Sequence, residues 1–226
     1  MSPYTAVVAD DHTLMRQALA HFLASTGEFT VIGEAGDGLE AAQITLRLRP
    51  DVVLMDLGMP RLGGIGATAR VLQEWPAARV LAVTTFAAPE AVVPMLRAGA
   101  GGYVLKDASP EELVAAALAV VEGRSVLSPA VLDAVVREVR TGDGPADPRL
   151  GAEADRVRSE LTEGETQVVA LLGEGLGNAE IARELGVTEA TVKGRLTRVM
   201  TKMGVLSRVQ VVVRACELGL VTPRLR

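Results

Sequence analysis

The sequence predicts two domains of different fold class: a doubly wound α/β domain on a five-stranded parallel sheet, followed by an all-α domain built on a helix-turn-helix. Three observations carry that prediction. Up to about residue 120, short β-rich runs alternate five times with longer helical patterns. A Gly/Pro/Asp-rich stretch, "TGDGPADP" at 141–148, then breaks the pattern. Beyond it only helical periodicity remains. Regular alternation of strand and helix indicates parallel strands, because each crossover helix packs back on the sheet and covers one of its faces.

The β-rich runs fall at residues 6–9, 29–32, 52–55, 80–84 and 102–105. The run at 52–55, "VVLM", is apolar throughout rather than alternating, as expected of a strand buried on both faces. Helical patterns occupy 13–25, 39–48, 65–74, 89–98 and 110–122, and a further helix is expected at 129–140. In the C-terminal part, Asn178 is read as the N-cap of a short helix that ends at Gly186, and Thr188 opens a second one. Helix, tight turn with Gly, helix is the helix-turn-helix arrangement. The domain bounds expected from these signals are 1–123, then a linker helix and flexible linker over 124–158, then 159–226.

Bulk properties fit two cores. The chain has 226 residues, 49% of them apolar. Its one cysteine, Cys216, rules out an internal disulfide framework and reads as a small buried hydrophobe. The N-terminus lacks a basic leader, and no uncharged apolar run approaches about 18 residues, so a soluble cytoplasmic protein is expected. The net charge of −5 hides an asymmetry. Residues 1–158 carry 14 basic and 20 acidic side chains, whereas residues 186–226 carry eight basic and two acidic ones. The basic tail is the candidate for nucleic acid.

Three acids fall where strands end: Asp10 and Asp11 after the first, Asp56 at the end of the third. In a doubly wound sheet these ends are neighbours, so the carboxylates share a pocket at the carboxyl edge. Unpaired, they would repel and raise one another's pKa; a hard cation with oxygen ligands, Mg²⁺ above all, relieves that. Thr84 ends the fourth strand and Lys106 follows the fifth. Lysine is scarce, with three against 20 arginines, and its presence here points to a compact positive charge. Carboxylate, cation, hydroxyl and ammonium together suit a phosphoryl group carried on Asp56.

The stretches "VVADDHTLMR", "LMDLGMPRLGG", "LAVTTF" and "RAGAGGYVLKD" resemble the receiver-domain motifs of two-component response regulators, which have a flavodoxin-like fold. "LTEGETQVVALLGEGLGNAEIARELGVTEATVK" resembles the LuxR-type DNA-binding domain, and the whole resembles the NarL/FixJ class. The resemblance implies that a histidine kinase phosphorylates Asp56 with Mg²⁺. It implies that Asp11, Asp56 and the Gly58 carbonyl bind the metal directly and Asp10 through water. It makes Thr84 and Tyr103 a switch pair and Lys106 the phosphoryl-contacting lysine. It also implies a homodimer acting on double-stranded promoter DNA, with no enzymatic activity beyond slow loss of its own aspartyl phosphate. Gly58 and Phe86 occupy the places that tune that loss. Gly66 departs from the family, where a longer side chain is commoner.

Along the second helix of the motif, Val192, Leu196, Val199 and Met203 form the packing stripe. Gly194, Thr197, Arg198 and Thr201 fall opposite, with Lys193 at the edge. The resemblance puts base contacts at Lys193, Gly194 and Thr197, and helical geometry adds Arg198. Thr191, Arg195, Lys202 and Arg208 are expected on phosphate, which positions without specifying. Arg195 stands where the family usually has His.

Other classes remain open at this level. A haloacid-dehalogenase-type phosphohydrolase also uses an Asp nucleophile after a parallel strand, but wants an acid two residues on, where Gly58 stands. A LuxR-type sensor of a small molecule would leave the five acid-pocket groups unused. A helix-turn-helix can also bind protein instead of DNA.

Overall fold

The computed structural model describes residues 2–85, 89–124, 126–127 and 148–221. The helix expected at 129–140, the linker up to residue 147 and Phe86 lie outside the described residues. The chain divides into two compact units, Met1–Ala134 and Val135–Arg226, each with its own core.

The first unit runs β1 (Tyr4–Ala9), α1 (Thr13–Ser25), β2 (Phe29–Ala35), α2 (Gly38–Leu48), β3 (Val52–Asp56), α3 (Gly64–Glu74), β4 (Val80–Thr84), α4 (Pro89–Arg97), β5 (Gly102–Leu105), α5 (Pro110–Val121) and β6 (Val126–Leu127). The strands are parallel in the order β2-β1-β3-β4-β5-β6. The order reverses between β1 and β3, which opens a crevice at their carboxyl ends. Every residue of β3 and β4 is buried, as their unbroken apolar runs require.

Two details differ from expectation. A sixth strand of two residues, β6, pairs with β5 beyond the five expected ones. Two residues are too few to carry a periodic signal, and only the exposed ladder of β5 calls them into the sheet. β2 also continues through Gly33 to Ala35. Gly33 marks a close approach rather than an end: a Cβ there would lie 2.9 Å from Ile44 on α2.

Helix starts are set locally. Asp37 caps α2 by accepting from Leu39 and Glu40 N–H, each at 2.9 Å. Ser109 and Glu112 form a capping box on α5, with Pro110 in the first turn.

The second unit contains α6 (Pro148–Glu160), α7 (Glu163–Gly173), α8 (Asn178–Leu185), α9 (Glu189–Met203) and α10 (Arg208–Glu217). Residues 148–158, expected as linker, form most of α6, and Ala154 and Val157 are buried in this unit's core. Their polar neighbours hide that burial in the sequence. Gly186 and Gly204 close α8 and α9 in the left-handed conformation. The N-cap of α8 is Gly177, not Asn178: Glu180 takes the Gly177 N–H at 2.7 Å, leaving Asn178 buried and free for another partner. Cys216 is buried, and burial pushes its thiol up to about 11, so it packs as an inert hydrophobe. Among the described residues, no helix is long and apolar enough to cross a membrane.

Candidate functional site

The carboxyl ends of β1 and β3 are in register, Ala9 beside Met55, which brings Asp10 next to Asp56. Asp10 is fully buried and Asp56 nearly so. The Lys106 ammonium sits between them, 2.6 Å from Asp10 Oδ2 and 3.1 Å from Asp56 Oδ1. It reaches there because its own backbone N–H is bonded to the Thr84 carbonyl at 2.7 Å, fixing the turn after β5. Burial lifts the Asp56 pKa, opposed by the adjacent ammonium and helped by the Asp10 charge. Burial works against the Lys106 charge, but the two carboxylates outweigh it and raise its pKa.

Thr84 is buried at the end of β4. The Tyr103 ring is fully buried beside it, hydrogen-bonded to its side chain, and burial raises the phenol to about 12. The pair expected from the sequence is therefore in contact, with the ring already in the inward position. The Gly58 backbone lies against the acceptor: a Cβ there would be 3.8 Å from Asp56 Oδ2.

Asp11 and His12 stand at the mouth. The imidazole Nδ1 lies 2.8 Å from Asp11 Oδ1 while the His12 side chain stays 76% exposed. His12 is thus a surface residue and a pocket-mouth residue at once. Ligand atoms of Asp10, Asp11 and His12 lie within 4.8 Å of one another. Asp11 Oδ1 is a buried oxygen that accepts no hydrogen bond, and a cation would satisfy it. An edge rich in carboxylate oxygens, with such an atom, fits a hard divalent ion.

In the second unit, α9 buries Val192, Leu196, Val199 and Met203 and exposes Thr191, Lys193, Thr197, Arg198 and Thr201. Thr188 caps the helix by accepting from Thr191 N–H at 3.2 Å. Gly194 and Arg195 are half-buried, and the Arg195 guanidinium lies against Gly164 of α7. Under the helix sits Glu165, buried, with Lys202 Nζ at 2.6 Å, Thr162 N–H at 2.9 Å and Arg198 Nε at 3.2 Å. Burial alone would raise this carboxyl, but the Lys202 ammonium, the Thr162 N–H and hydroxyl, and the Arg198 guanidinium hold it down to about 2.

The sequence comparisons agree with this geometry. A family profile described as "Response regulator receiver domain" matches residues 6–118, and one for "Bacterial regulatory proteins, luxR family" matches residues 159–215. The transcriptional regulatory protein YhcZ of Bacillus subtilis is 35% identical over 214 residues, 95% of this chain and 96% of that one. The nitrate/nitrite response regulator protein NarL of Escherichia coli is 32% identical over 93% of this chain and 94% of its own. This chain belongs to the response regulators. Among solved structures, the response regulator ChrA of a heme-sensing two-component system is similar at a TM-score of 0.53, with 31% identity over 97% of this chain and all of that one.

As a response regulator, the protein has a receiver domain and a LuxR-type DNA-binding domain, and its relatives are transcriptional regulatory proteins. The receiver implies a histidine kinase partner and the LuxR-type domain implies DNA binding. The acid pocket of this regulator gathers Asp10, Asp11, Asp56, Gly58, Thr84, Tyr103 and Lys106 at one edge. Two of the residues expected on phosphate have partners within the domain. Lys202 is engaged by Glu165 and by the Glu160 carbonyl at 2.8 Å. Arg208 donates to Asn178 Oδ1 at 2.6 Å and to the Leu176 carbonyl, and burial lowers its pKa to about 10. Both join helices of the domain; partners distant in sequence capture them. Arg198 is shared, tied to Glu165 yet 61% exposed. Glu165 does structural work at this site that the sequence does not announce, because its partners lie on other elements.

Proposed function

We propose that the regulator is switched by phosphorylation of Asp56 by a histidine kinase, and that the phosphorylated form binds promoter DNA as a homodimer. The observation that carries this reading is the buried Asp56 carboxylate held 3.1 Å from Lys106, with Thr84 at the neighbouring strand end. An Asp56 oxygen attacks the phosphorus of phosphohistidine, the N–P bond breaks, and the imidazole leaves with the electron pair. Lys106 neutralises charge on the incoming phosphoryl group, and the Thr84 hydroxyl donates to one of its oxygens. Asp11, Asp56 and the Gly58 carbonyl, with Asp10 through water, are the groups that would hold Mg²⁺, which supplies charge neutralisation to the transfer. The domain bounds we assign are 1–123 for the receiver and 159–226 for the DNA-binding domain, with α6 extending the second core.

On the DNA side, we assign Lys193, Gly194, Thr197 and Arg198 to the bases and Thr191 and Arg195 to phosphate. One helix-turn-helix covers too little DNA for selective binding, so two copies on two half-sites are expected. Lys193→Ala should cost about 1–3 kcal/mol on cognate DNA and relax preference at one base position. Fluorescence anisotropy on cognate and random duplexes checks this; equal losses on both would place Lys193 on phosphate.

Phosphorylation should tighten binding of the full-length chain, and anisotropy with and without acetyl phosphate tests it. The fragment beginning at residue 148 should bind without phosphorylation, whereas one beginning at 155 cuts α6 and discards the buried Ala154. Full-length protein that binds equally in both states would end the switch reading. The aspartyl phosphate should be long-lived, because Gly58 has no side chain to orient water near Asp56. Gly58→Asn should shorten its half-life in a phosphate-release time course; an unchanged half-life would count against this role.

A further inference from the structure

We infer that Arg16 is the positioning residue of the acid pocket, holding the turn after β1 so that Asp10 and Asp11 are presented ready for a divalent cation. The inference rests on the Mg²⁺ reading of that pocket given above.

Arg16 lies in the first turn of α1, one turn beyond His12, whose carbonyl accepts its backbone N–H at 2.9 Å. Its guanidinium turns back under the pocket rather than out to solvent; the side chain is 17% exposed. One end, Nη1, donates to the Asp10 carbonyl at 2.7 Å. The other, Nε, donates to Glu34 Oε2 on the edge strand β2 at 3.1 Å. Gly36 lies beside Nη1, where a Cβ would make an ordinary contact at 3.7 Å.

The other polar atoms of Asp10 are held by two hydrogen bonds and an ion pair. Its N–H donates to the Ala35 carbonyl at 3.1 Å, Oδ1 accepts from His12 N–H at 2.9 Å, and Oδ2 faces Lys106 at 2.6 Å. The carbonyl and Oδ2 are the two atoms held by side chains, Arg16 and Lys106, and only Arg16 grips the main chain. The carbonyl belongs to the peptide group that joins Asp10 to Asp11, whose Oδ1 is a buried oxygen that accepts no hydrogen bond. Two carboxylates beside a third, Asp56, repel one another, and a turn free to relax would swing Asp11 outward. Arg16 opposes that by fixing the peptide between them to β2. Glu34 in turn fixes Arg16, so a guanidinium with two separated donor nitrogens is required; a lysine places all its N–H groups on one nitrogen. Partners that orient the groups holding a metal are worth roughly 10–100-fold in its affinity when removed.

The test is the Mg²⁺ affinity of the full-length protein, measured by isothermal titration calorimetry, beside the thermal midpoint without added metal. Arg16→Met keeps the stem and removes both donors; its Mg²⁺ Kd should rise about 10-fold or more. Arg16→Lys should recover less than half of that change in log Kd, and Glu34→Ala should weaken Mg²⁺ binding in wild type but add little in Arg16→Met. Should Arg16→Met fail to fold, Arg16→Lys and Glu34→Ala carry the same comparison. Variants with the wild-type Kd, whether or not the thermal midpoint falls, would overturn the role. Absence of saturable Mg²⁺ binding in wild type, or binding indifferent to Asp11→Ala, would instead sink the reading of the pocket on which the inference rests.

Discussion

Asp56→Asn should abolish phosphoryl incorporation from acetyl phosphate, whereas wild type gains one acid-labile phosphate per chain. An amide oxygen is a far weaker nucleophile than a carboxylate, and no second acid is placed to substitute. Asp10 is fully buried with both oxygens committed to His12 N–H and Lys106. Asp11 is more open but faces His12 at the mouth. The asparagine also retains the shape of the site, so loss of labelling would not report misfolding; intact mass after incubation with donor and Mg²⁺ reads the result directly. Burial favours the protonated Asp56, and the Lys106 ammonium opposes that by favouring the anion. Lys106→Met should therefore slow labelling without eliminating it. Labelling of the Asn variant at the wild-type rate would remove Asp56 as the acceptor.

Glu165→Ala should destabilise the DNA-binding domain by about 1–3 kcal/mol, the usual cost of leaving hydrogen-bond partners of a buried group unsatisfied. The carboxylate is 2% exposed and is the common acceptor for Lys202, Arg198 and the Thr162 N–H. Its removal leaves Lys202, itself 28% exposed, with only the Glu160 carbonyl. It also removes one half of the capping box on α7. Lys202→Ala should show the same defect in milder form, losing stability more than DNA affinity, which distinguishes a structural cation from a phosphate contact. The pH dependence has a definite sign. The folded carboxyl titrates at about 2, below its ordinary value of 4.5, so its contribution is complete above that ordinary value. It declines as pH falls towards 2, and is gone below. Denaturant melts of this unit, followed by circular dichroism between pH 5 and 2, should show that decline in wild type and not in Glu165→Ala. Parallel pH profiles for the two proteins would refute the assignment.

By itself the sequence determined the local features and whatever follows from periodicity. The unbroken apolar runs of β3 and β4 mark central strands, since only burial on both faces tolerates them. Acids at strand ends, with Thr84 and Lys106, follow once the sheet is parallel, because all carboxyl ends then lie on one edge. The α9 stripe of Val192, Leu196, Val199 and Met203 is legible for the same reason: spacing alone sets the face. Tertiary structure alone decided which charges are available. Lys202 and Arg208 look like any surface cation along the chain; partners 37 and 30 residues away, Glu165 and Asn178, engage them within the domain. Asn178 could be taken because Glu180 already served the Gly177 N–H. The two-residue β6 and the core role of Ala154 depend on neighbours that no local pattern encodes. Side-chain hydrogen bonds and ion pairs are made across elements, and their partners become known only when the helices and strands are packed.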